Sequence, residues 1–237
     1  MAQLLLIVSA ELLGLFLLSR RLTQQLFRTV LLIVRHRSVA ISAITALLFP
    51  GTVIHELSHL FTAEILGVKT GKLTLAPESI NGKDIQAGSV EFVQTDPFRR
   101  TAIGLAPFFV GLIALFGLSS ALPSLWNQTV AAFQTNILFS SSPSYLLLLT
   151  SYLLFCISNT MFTSPEDMKG VIPLAITLLL LGGVGYIAGI RIELTGLVAE
   201  TITTGLTAVS QSISIVLLFN LVLYVLTSAI LWIAKGK

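Results

Sequence analysis

The run VAISAITALLFPGTVIHELSHLFTAEILGV, residues 39–68, decides how the whole chain is read. It is apolar almost throughout, yet it carries His55, Glu56 and His59 in the order H-E-x-x-H. On an α-helix, residues four apart share a face, so both imidazoles reach one metal ion and Glu56 lies beside them to take a proton from water. The chain has three histidines, and two of them are here. Ionisable side chains are costly inside an apolar helix and are retained for function. The same face continues into Ala63 and Gly67, small residues that invite close approach of a second helix. Pro50-Gly51 removes a backbone donor one turn ahead of His55 and is expected to kink or loosen the helix there.

The rest of the sequence supplies a membrane setting for that helix. Its 237 residues are 54% hydrophobic and 11% charged, with several apolar runs long enough for a bilayer. The expected fold class is an all-α polytopic membrane protein of about six transmembrane helices, with a small β-hairpin after the H-E-x-x-H helix and the cell membrane as its location. A net charge of +3, scattered along the chain, gives no nucleic-acid surface. Lysines and arginines beside the spans read as orientation signals. The single Cys156, in an apolar run, excludes an intramolecular disulfide.

Taken in order, residues 2–19 read as a retained first span, apolar apart from Glu11, and residues 20–37, with five arginines, as an interfacial amphipathic helix. Residues 39–68 form the motif helix, roughly 45 Å long against a hydrocarbon core of ~30 Å. Its histidines then fall in the last third, near one membrane face, where water is at hand. Residues 69–100 are polar. Two alternating stretches, 72–76 and 89–94, flank a turn-rich segment and predict a hairpin. An unpaired edge of that hairpin, at Val90 and Phe92, offers backbone groups to an extended peptide. Further spans are expected at residues 101–122, 144–161, 171–190 and 212–234, with a Ser-rich loop over 123–143 and a mildly amphipathic stretch over 191–210. Three units follow: residues 1–38, a core over 39–170 that carries the H-E-x-x-H helix, and a two-span extension over 171–237.

A catalytic zinc keeps three protein ligands and one open position. With His36 set among the arginines, the third ligand is a carboxylate from Glu11, Glu64, Asp96, Glu166 or Asp167. Glu64 faces away from His59 round the helix, and Glu166 and Asp167 close the fourth span.

These residues resemble the site-2 protease family of intramembrane zinc metalloproteases. The family's H-E-x-x-H, followed by a small residue and then Gly, is matched by His55, Glu56, His59, Ala63 and Gly67. Its Asn eight residues before a metal-binding Asp, with proline between, is matched by Asn159, Pro165 and Asp167. Four positions depart from the pattern. The Gly-Pro of the next core helix is Ala106-Pro107, followed by Val110 where the family has Asn, and Glu166 and Met168 replace the Leu and Gly around the aspartate. The resemblance covers residues 39–170. It implies Zn2+ held by His55, His59 and Asp167, Glu56 as general base, Asn159 as a substrate or oxyanion contact, and a cytoplasmic hairpin. It also implies a substrate that is itself a membrane protein, chosen with help from the hairpin, the outer spans or a regulatory membrane partner. Two alternatives stay open: another class of membrane zinc peptidase, and a metal-binding membrane protein without activity.

Overall fold

Between Gly14 and Pro50 the sequence holds neither glycine nor proline, so nothing in the backbone obliges the first helix to stop at its arginines. In the computed structural model, which describes residues 2–75, 78–80, 84–86, 88–93, 95–135, 142–162, 176–177, 180–181, 183–184, 187–189 and 196–235, α1 (Ala2–Val34) runs unbroken through Arg20, Arg21 and Arg28. The interfacial helix expected over residues 20–37 is thus the second half of α1, and the Arg20 guanidinium lies 5.6 Å from the Phe16 ring centroid. The chain reverses at Arg35, whose φ of 59° is the left-handed conformation that ends a helix sharply.

Helix α2 (Arg37–Ile65) carries the motif and passes through Pro50 without a break. A neighbour supports this turn: Tyr152 Oη and Cys156 Sγ both donate to the Leu47 carbonyl, at 2.9 and 3.3 Å. Gly67 closes the helix with φ +68°, the Gly67 N–H donating to Glu64 O and the Val68 N–H to Ala63 O. That is a Schellman motif, with Val68 packed back on Ala63. Gly67 therefore terminates α2 and takes no part in helix packing, since a Cβ placed on it would meet nothing within 4 Å.

Strand β1 (Thr70–Thr74) pairs antiparallel with β4 (Ser89–Phe92), as the expected hairpin does, but the intervening turn holds a second antiparallel pair, β2 (Glu78–Ile80) and β3 (Asp84–Gln86). The register Thr70↔Phe92, Leu73↔Val90 spans three residues on β1 against two on β4, which puts a bulge on β1 and leaves β4 regular. Helix α3 (Pro97–Gln134) absorbs Pro107 and Pro123 and extends well past the expected end at Leu122. Helices α4 (Ser142–Thr160) and α5 (Gly196–Lys235) complete the described bundle. The span expected over residues 171–190 lies largely outside the described residues.

Four of these helices are long and apolar enough to cross a membrane: Gln3–Val34, Arg37–Ile65, Pro97–Gln134 and Gly196–Ala234. The shorter α4, diluted by serine, threonine and tyrosine, is not among them. Helix directions follow from contacts. Ser214 donates to Glu11 and Ser228 to Gln25, each pair 203 residues apart, so α1 and α5 run the same way. Met161 clusters with Ile213 while Tyr152 clusters with Leu223 and Tyr224, so α4 and α5 are antiparallel. Helix α4 therefore runs toward the end of the bundle from which α5 starts, whereas six alternating spans would make these two helices parallel.

Candidate metal centre

Three helices converge on the motif. Gly51 brings α4 against α2, and a Cβ there would lie 2.5 Å from both the Cys156 carbonyl oxygen and Thr160 Oγ1. Gly111 does the same for α3 and α4, its Cβ position falling 3.0 Å from Met161 Cβ. The small-residue face of α2 meets the expected partner helix at Ala63, and that partner is α3, through Ile103. The fourth helix meets α2 twelve residues earlier, at Gly51.

His55, Glu56 and His59 are all buried. His59 Nδ1 is 2.8 Å from the carbonyl oxygen of Ile103 on α3, an acceptor only, so Nδ1 carries the proton and Nε2 offers a lone pair. That Nε2 lies 3.2 Å from His55 Nε2, with the two rings nearly perpendicular at 83°. Two ring nitrogens so placed can share a proton or accept a common cation. Two imidazole ligands at ordinary zinc–nitrogen distances in a tetrahedral site have their nitrogens about 3.3 Å apart. The pair, with one tautomer already fixed by a backbone carbonyl, therefore fits zinc. Among the described residues no group of three or more histidine, cysteine, aspartate or glutamate side chains gathers to hold a metal.

The carboxylate candidates separate clearly. Glu11 accepts from Ser214 at 2.6 Å between α1 and α5, with its second oxygen buried. Glu64 is exposed on α2. Asp96 caps α3, its Oδ1 accepting from the N–H of Arg99 at 3.0 Å and of Phe98 at 3.1 Å, while its other oxygen meets the Arg99 guanidinium at 3.3 Å. Those backbone donors at Arg99 hold the Asp96 carboxyl below its usual value. Glu166 and Asp167 lie outside the described residues.

Asn159 is buried in the seam between α4 and α5. Its Nδ2 donates to Phe155 O at 2.7 Å and to Asn220 Oδ1 at 3.2 Å, and Asn220 Nδ2 donates to Ser158 Oγ at 3.2 Å. The Asn159 Oδ1 is buried without a hydrogen-bond partner among the described residues. On β4, the Val93 N–H donates to Lys69 O, so by strand alternation the backbone groups of Phe92 and Val90 point away from β1, along the sheet's other edge. No described strand pairs with that edge. Immediately before β4, Gly88 is buried against Glu56.

Sequence reasoning missed Ile103, Asn220 and Gly88. Asn220 had a readable signal, an amide within an apolar run that needs a partner. Ile103 acts through its backbone and Gly88 through the absence of a side chain, and neither leaves a mark in the sequence. Comparison of the chain with protein-family models, with curated proteins and with solved structures gives no match.

Proposed function

We propose that this chain is a multi-pass integral membrane zinc metalloendopeptidase of the site-2 protease type, cutting membrane-spanning or membrane-anchored proteins. The observation that carries the reading is the convergence of His55 Nε2 and His59 Nε2 to 3.2 Å, with His59 Nδ1 fixed on the Ile103 carbonyl and Glu56 buried beside them. The membrane placement is supported by an inverted distribution of polarity. Thr52, Ser58, Ser158, Asn159 and Asn220 are buried, while Leu148 and Leu6 are each 70% exposed and Ile113 is 72% exposed. Lipid is the solvent that suits such a surface.

His55 and His59 would hold zinc, and Asp167, on the strength of the resemblance, would be the third ligand. Bound zinc supplies a Lewis acid for the scissile carbonyl and makes water acidic enough to lose a proton near neutrality. Glu56 takes that proton on its carboxylate and hands it to the departing amide nitrogen. The Ile103 carbonyl keeps the His59 ring in the ligating tautomer. A substrate helix has to unwind before a carbonyl is open to attack, and the outward N–H and C=O groups of Val90 and Phe92 give the extended chain a strand to pair with.

Two measurements on detergent-purified protein and its membranes test the reading. Zinc content should be close to one per chain, lost in His55→Ala and His59→Ala and kept in Glu56→Gln. Membranes holding the unsubstituted protein should contain a substrate fragment that membranes holding Glu56→Gln lack. Absence of zinc, or identical fragment patterns, overturns it.

A further inference from the structure

Gly88 stands where the hairpin touches the motif helix. A Cβ built on it would lie 2.8 Å from Glu56 Cγ, 2.8 Å from Glu56 Oε1 and 3.0 Å from Glu56 Cδ. Real side chains do not approach that closely, so one of the two must give way. Glu56 can give way by rotating about its side-chain bonds, the Cα–Cβ bond included because Cγ is among the atoms met, whereas its backbone is fixed in α2 next to a histidine held on α3.

The contact is specific to this end of the hairpin. Gly71, on the bulged strand, faces the side chain of Glu91 instead, and Gly67 faces open space. Of the hairpin glycines described, only Gly88 abuts a motif residue. The strand that follows it, β4, is regular, so the wall at Gly88 and the outward groups at Val90 and Phe92 belong to one rigid stretch of backbone.

We infer that Gly88 is a positioning residue for Glu56: the bare backbone at the head of β4 is the wall that holds the carboxylate beside the histidine pair. This rests on the reading of Glu56 as the general base. A methyl group at Gly88 swings the carboxylate off the histidine pair while leaving His55, His59 and the Ile103 carbonyl in place. A displacement of about 1 Å at a reacting group costs on the order of 100-fold in rate.

The test compares four proteins: the unsubstituted chain, Gly88→Ala, Glu56→Ala, and Glu56→Ala combined with Gly88→Ala. Gly88→Ala should lower kcat about 100-fold with KM within about threefold and zinc content unchanged. Thermal unfolding of purified protein supplies a readout independent of activity. Gly88→Ala should lower the unfolding temperature when Glu56 is present and leave it unchanged when Glu56 has already been cut back to alanine, because the clash partner is gone. An equal thermal shift in both backgrounds, loss of zinc in Gly88→Ala, or an unaltered kcat in a folded Gly88→Ala overturns the inference. If no variant cleaves anything while the thermal shifts still depend on Glu56, the contact stands and the assignment of Glu56 as base falls.

Discussion

Two polar interiors of the bundle, one between α2 and α3 and one between α4 and α5, are built differently. Between α2 and α3, two imidazole nitrogens lie 3.2 Å apart with a backbone carbonyl behind one ring, and the buried Glu56 neighbours His55 in sequence. Between α4 and α5, the amides of Asn159 and Asn220 and the hydroxyl of Ser158 bond mainly to one another. The first arrangement brings two ring nitrogens to one point, the cage that the proposed zinc would occupy. The second takes up most of its capacity internally, Asn159 Oδ1 excepted, which is the geometry of adhesion between helices. Where the hydrogen-bonding capacity goes is what distinguishes chemistry from glue in an apolar interior.

The largest expected effect tests the first half of that contrast. Glu56→Gln removes the base and keeps both histidines, so turnover should fall about 1,000-fold with zinc content and unfolding temperature unchanged. Loss of zinc in that variant would place Glu56 in the cage and erase the division of labour. Next in size, proline at Val90 or Phe92 removes an outward N–H from β4 without touching the pairing to β1, and cleavage should drop about tenfold at constant zinc. Cleavage at the unsubstituted rate in both variants would assign the hairpin to scaffold alone.

The seam should respond in the opposite currency. Asn220→Ala leaves Asn159 and Ser158 short of a partner and should cost about 1–2 kcal/mol of stability in a denaturation series, with zinc retained. Zinc loss equal to that of His59→Ala would show the two interiors to be one. The smallest effect belongs to neither interior. The Asp96 carboxyl is held below its ordinary value by the backbone donors at the start of α3, so its contribution is present above the unfolded carboxyl value and is lost as pH falls through the folded one. Amide exchange at Phe98 and Arg99 should therefore be insensitive to pH between about 5 and 8, once corrected for intrinsic rates, and accelerate below about 4.

Much of this was legible in the sequence because it is local. The face shared by His55 and His59 follows from helical periodicity, and the alternation over β1 and β4 gave the hairpin. What escaped depended on distance or on backbone. Arginines at 20, 21 and 28 looked like the close of a span, but charge does not break a helix that has no glycine or proline to break it. Gly67 stood at the right spacing for a helix-packing face, while its positive φ makes it a terminator. The pairing of Asn159 with Asn220 joins residues 61 apart on separate helices, which periodicity within one helix cannot reveal.

That same separation has a consequence in time. A ribosome delivers Asn159 well before Asn220, so α4 reaches the bilayer before the helix that satisfies its buried amide has been made. During that interval the polar flank of α4 lacks Asn220. The bundle is thus latched by a late arrival, and the order of translation is written into which amides wait for which.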